Sequence, residues 1–88
     1  MSQDSLRKAI CSELARLFRQ ERLYRKMSLN ALAAHAGLSR QTVNFLETEQ
    51  RTPTIDTLLR LADVLEIRLE DLIRKARKAA LNKVLVKK

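Results

Sequence analysis

One glycine, Gly37, and one proline, Pro53, are the only residues of their kind in 88 positions. Strand-rich folds need many more turn-formers than that, so this chain reads as helices joined by short links. Ala, Leu, Arg, Lys, Glu and Gln dominate the intervening stretches, and all favour the helix intrinsically. At this length there is room for one small domain with one core. Aromatic residues make up 3% of the chain, so that core has to be aliphatic.

The two punctuation marks frame residues 28–49, SLNALAAHAGLSRQTVNFLETE. Ser28 is a good N-cap, and Leu29, Leu32, Ala33 and Ala36 follow on one helical face. Gly37 can take the left-handed conformation that ends a helix without a side-chain penalty, and Leu38 then returns to the core. Ser39 caps the next helix, 40–50, so the two short helices must cross steeply. Val43 and Leu46 face inward. Arg40, Gln41, Asn44 and, more peripherally, Thr42, Phe45 and Thr48 face outward. Ordinary solvent faces carry more Glu and Lys. This one carries groups suited to base edges: Arg for guanine, Asn and Gln for adenine, an apolar group for the thymine methyl.

Before this stretch, residues 4–24 form a first helix, capped by Asp4 or Ser5, with Ile10, Leu14, Leu17 and Phe18 on its buried face and Cys11 beside them as a small hydrophobe. Pro53 breaks the chain after the third helix, and Thr54 can cap a fourth. Ile55, Leu58, Leu59, Leu61, Ala62 and Leu65 give that fourth helix an apolar face broad enough to require burial on most sides or a partner. A fifth begins near Leu69. The spacing of Leu69, Leu72, Ile73, Ala76, Ala80 and Val84, with Leu81 or Leu85, predicts that it continues toward the C-terminus as an amphipathic helix. A helix projecting past the body strands its apolar stripe in water, and a second subunit is the simplest cover.

The formal charge of +8 is unevenly spread. Residues 74–88 contain Arg74, Lys75, Arg77, Lys78, Lys83, Lys87 and Lys88 and no acid, leaving the rest of the chain nearly neutral. The chain therefore divides into a body, 1–73, and a basic extension, 74–88, open to three roles: phosphate contact, dimer helix or solubilising tail. With one cysteine no internal disulfide is possible, and with one histidine, His35, no metal spacing exists. Phosphate loops and nucleophile elbows are missing too, so neither enzyme activity nor a cofactor is expected. The N-terminus lacks the pattern of a secretory signal, and no apolar run is long enough for a membrane span; a bacterial-type cytosolic, nucleoid-associated protein is expected.

The middle of the chain resembles the lambda-repressor-like, or Xre-type, helix-turn-helix family. The resemblance rests on Ser28, Leu32-Ala33, Ala36-Gly37-Leu38-Ser39, Val43, Leu46-Glu47, Arg51, Pro53, Leu58, Leu61-Ala62, Leu65 and Leu72. It implies an all-α, five-helix domain whose third helix enters the major groove. Carried onto this chain, it makes Arg40, Gln41, Thr42, Asn44 and Phe45 base-contacting residues, and Ser28, Ser39, Arg51 and Thr54 phosphate-contacting ones. Three features depart from the family. Leu29 stands where many members carry a phosphate-bonding Gln, Glu49 stands where glycine is usual, and the link between helices one and two reads as longer and lacks its glycine. That last departure puts Arg19 in the place that pairs with Glu47, and predicts an Arg19–Glu47 ion pair.

The resemblance and the outer face of the third helix together predict a regulator of transcription, most simply a repressor, binding duplex DNA as a homodimer. A chain this short has no separate sensor domain, so small-molecule control is not expected. A restriction-control or prophage repressor fits equally. An antitoxin that autorepresses its operon, its apolar tail awaiting a toxin, is an alternative within DNA binding. From another class, Leu29, Glu49 and the near-neutral body suit a protein-interaction module that keeps the fold without binding DNA.

Overall fold

Three of the helices begin where a hydroxyl side chain can accept the orphan backbone N–H groups of a first turn. Ser28 Oγ accepts from the Ala31 N–H at 3.0 Å, Ser39 Oγ from Thr42 at 3.1 Å, and Thr54 Oγ1 from Thr57 at 3.1 Å. In the computed structural model, which describes residues 3–86 and side chains as far as residue 84, the order is α1 (Gln3–Tyr24), α2 (Leu29–Ala36), α3 (Arg40–Glu47), α4 (Ile55–Leu65) and α5 (Leu69–Val86). No strand occurs among the described residues. The fold is the expected all-α one, with the basic extension helical as far as Val86. Leu85, Lys87 and Lys88, which the sequence places on that extension, lie outside the described side chains.

The ends of α1, α2, α3 and α4 share one device. At each, a residue in the left-handed conformation is followed by a residue whose N–H reaches back five positions: Met27 to Arg22, Leu38 to Ala33, Gln50 to Phe45, and Ile67 to Ala62. The preceding N–H bonds three positions back, which completes a Schellman motif. Only one of the four turning residues is glycine, Gly37 at φ 69°; the others are Lys26, Glu49 and Glu66, at φ 56°, 60° and 56°. Hence α3 stops at Glu47, earlier than residue 50, because the chain turns through Glu49. Only residues 25–28 separate α1 from α2.

Phe18, Leu32, Val43, Leu61 and Leu65 are the largest fully buried side chains. Each contributes roughly 1.5–3 kcal/mol by leaving water. Leu14, Ala33, Leu46, Leu58, Ala62 and Leu72 join them in one cluster that draws on every helix. Several expected core positions fall short. Ile55, Leu59 and Ile73 are exposed, as is Cys11, because α4 turns only the Leu58–Leu61–Leu65 side inward and α1 only the Leu14–Phe18 side.

Most of the stripe on α5 is covered within the chain: Leu69, Leu72, Ala76 and Ala80 are buried, while Ile73 stays exposed. At 22 residues, α1 is about 33 Å long at 1.5 Å per residue. It overreaches the body far enough to pack along α5. Ala76 and Ala80 are completely buried. Their small side chains let α5 approach its neighbour closely, so these alanines serve packing as well as helix propensity. A buried acid, Glu13, ties the two helices: its carboxylate accepts from Arg16 Nε at 2.9 Å and meets Lys83 Nζ at 2.6 Å. The Lys83 ammonium, with Arg16, holds the Glu13 carboxyl below the ordinary carboxylate range in spite of its burial.

Candidate nucleic-acid interface

The Gly37 turn sets the angle at which α3 leaves α2. Leu38, half-buried, packs on the core beside it, and the Arg60 guanidinium donates to the Ala36 carbonyl at 3.4 Å across the same corner. Val43 and Leu46 anchor the inner side of α3. The outward side is then fixed by geometry. Arg40 and Gln41 are exposed at its first turn, and neither side chain has a hydrogen bond or ion pair among the described residues. Thr42 and Asn44 are half-buried beside them.

The hydroxyls are less free than their sequence positions suggest. Ser39 Oγ lies 2.8 Å from Thr42 Oγ1 while also accepting from the Thr42 N–H. Thr54 Oγ1 donates to Thr57 Oγ1 at 3.1 Å. Ser28, Ser39 and Thr54 thus all spend their side chains as helix caps. A phosphate at any of these places would be met chiefly by helix N-terminal N–H groups. Arg51 is different: its guanidinium lies 4.7 Å from the centre of the Phe45 ring. A cation–π contact of this kind contributes about 0.5–1 kcal/mol at an exposed site. It joins the loop after α3 to the second turn of α3 and points the Arg51 charge along the same surface.

Behind this surface Glu47 is the brace, and it pairs with two arginines, the expected Arg19 and, more closely, Arg22. Arg22 Nε and Nη2 grip the two Glu47 carboxylate oxygens at 2.7 and 2.9 Å, and Arg22 Nη1 donates to the Met27 carbonyl at 2.8 Å. Arg19 stands at the rim, 59% exposed, with its Nε 4.0 Å from Glu47 Oε1. Arg22 lies in the last turn of α1, just before the link to α2. Leu14, Phe18 and Arg22 recur every four residues on one stripe of α1, the signal that would have found it. Bonding to Glu47 raises the Arg22 pKa against the opposing effect of burial, and these contacts tie α1 to α3 and to the α1–α2 link.

The remaining candidates divide clearly. Leu29 is half-buried against the core and takes no place on the outer face. Glu49 and His35 are exposed. No group of three or more metal-binding side chains occurs among the described residues, and no helix there is long and apolar enough to cross a membrane.

A search of curated proteins and a search of solved structures each return no match. The family model described as helix-turn-helix matches residues 18–72, more than half of the chain, and spans the turn, the α3 face and the Arg22–Glu47 brace described above. That family is one of DNA-binding transcription regulators. The protein belongs to the lambda-repressor-like, Xre-type helix-turn-helix family.

Proposed function

We propose that the protein is a sequence-specific transcriptional repressor that inserts α3 into the major groove of duplex DNA. The observation that carries this reading is the pair Arg40 and Gln41, exposed and unengaged on a helix whose other side is fully anchored. Arg40 reads guanine N7 and O6, and Gln41 reads adenine N6 and N7. The Thr42 methyl, Asn44 and the free edge of Phe45 complete the contact. Ser28, Ser39, Thr54 and Arg51 meet the backbone and set the register. An eight-residue helix reaches only a few base pairs, so two copies bind as a homodimer to half-sites about one helical turn, or ~34 Å, apart. Bound in this way across a promoter, the dimer blocks transcription from the nucleoid of a bacterial-type cell.

The antitoxin alternative rests on a free apolar tail, and most of the α5 stripe is buried within the chain. The interaction-module alternative keeps the support of Glu49, an exposed acid beside Arg51. The two classes separate by selection of bound sequences from random duplex DNA, with an Arg40→Ala, Gln41→Ala control. An enriched inverted repeat that the double variant no longer selects supports the repressor. No enrichment at low salt sinks it and favours the interaction module.

A further inference from the structure

Two open clefts lie along α1, and they adjoin at Arg7 and Cys11. The first, of about 590 Å³, lies between α1 and the α3–α4 loop and is lined by Arg7, Lys8 and Cys11 on one side and Arg51 on the other. The second, of about 420 Å³, shares Arg7 and Cys11 and reaches Arg77 on α5. Four cations, Arg51, Lys8, Arg7 and Arg77, therefore line a groove made of the two adjoining clefts. Lys8, Arg51 and Arg77 have no ion pair among the described residues, and the one acid in either lining is Glu49. Arg7 pairs with Asp4 at 3.0 Å, but both side chains are mostly exposed, at 68% and 75%. A pair so exposed is worth little and yields readily to a stronger anion.

We infer that this groove is a track for the phosphate backbone of duplex DNA flanking the bases read by α3, with Arg7, Lys8 and Arg77 as additional phosphate contacts. The inference rests on the DNA-binding reading above and extends it to a surface that the helix-turn-helix itself does not include. Two physical points choose the occupant. The groove begins at Arg51, on the loop next to α3, so a backbone held there continues into it. Its cations come from α1, the α3–α4 loop and α5 and are divided between two clefts, which suits a repeating polyanion better than a single small anion. It also supplies the grip that Leu29 and Glu49 fail to give, and it does so mainly from α1, outside the basic C-terminal segment.

The test is binding of fluorescent duplexes carrying the selected site, one trimmed to the site and one extended by a helical turn at each end, over a range of salt concentrations. Wild-type protein binds the longer duplex more tightly and with a steeper salt dependence. The Arg7→Ala, Lys8→Ala, Arg77→Ala variant, in which only exposed side chains change, loses the length effect. Its log–log salt slope becomes shallower by about 0.9 per contact, or roughly 2.7 in all, with the preferred sequence unchanged. The charge-keeping Arg7→Lys, Arg77→Lys variant retains the wild-type slope. A triple alanine variant with the wild-type slope and length effect overturns the groove while leaving the α3 reading intact, provided Arg40→Ala, Gln41→Ala still abolishes specific binding. Failure of the wild-type protein to bind any duplex at low salt overturns both.

Discussion

Replacing Glu49 with glycine is expected to stabilise the protein and to strengthen its hold on DNA in one step. Glu49 adopts φ 60°, where a residue with a Cβ is disfavoured by about 1–2 kcal/mol. Glycine removes that strain but adds about 0.4–1 kcal/mol of freedom to the unfolded chain. Loss of a carboxylate just past the C-terminal end of α3 contributes about 0.3 kcal/mol more, since the dipole there is negative. The side chain is exposed and makes no hydrogen bond or ion pair among the described residues, so nothing else is lost. The net is about 1 kcal/mol, or roughly 4–8 °C in Tm for a domain of this size. Thermal unfolding followed by circular dichroism reads it, and Glu49→Ala is the control, because alanine removes the charge and keeps the strain. If Glu49→Ala raises Tm as much as Glu49→Gly, charge and not backbone conformation is responsible. If Glu49→Gly lowers Tm, the left-handed turn is misassigned. Glu66→Gly is expected to behave alike, and Lys26→Gly to gain less, since it gives up a cation that suits a helix C-terminus. On DNA, Glu49→Gly tightens binding at low salt, because it removes the one acid from the cleft that holds Arg51.

Other outcomes follow from the buried charges. Glu47→Ala strands the largely buried Arg22 guanidinium and is expected to destabilise by about 3 kcal/mol in urea unfolding. Arg19→Ala, at the exposed rim, costs less than about 1 kcal/mol, and equal effects of the two would contradict the assignment of Arg22 as the main partner. The Glu13 carboxyl titrates lower in the folded chain than its unfolded value near ~4.3, so its contribution is complete above that value and is lost as pH falls through the lower folded one. Lys83→Met removes the principal cause, so acid unfolding shifts to higher pH; an unchanged acid limb shows that the α1–α5 tie does not form in solution.

Much of the fold is local, and local features are legible in a sequence. Ser28, Ser39 and Thr54 cap helices through bonds that span three residues, and Gly37 turns because glycine alone does so without strain. Those four residues fix where α2, α3 and α4 start and how α2 meets α3, and thereby which side of α3 faces out. The outward row from Arg40 follows from 3.6-residue periodicity once Val43 and Leu46 are placed inside. What only the tertiary structure decides is non-local. Lys26, Glu49 and Glu66 end their helices in a conformation their side chains disfavour, so no residue type announces the turn; the packing of the next helix imposes it. Arg22 and Glu13 are buried although charged, because partners 25 and 70 positions away offset their desolvation. The buried positions of the α5 stripe, Leu69, Leu72, Ala76 and Ala80, are covered by elements distant in sequence, α1 among them. In each case the deciding energy belongs to a contact between distant segments, which composition and periodicity within one segment do not carry.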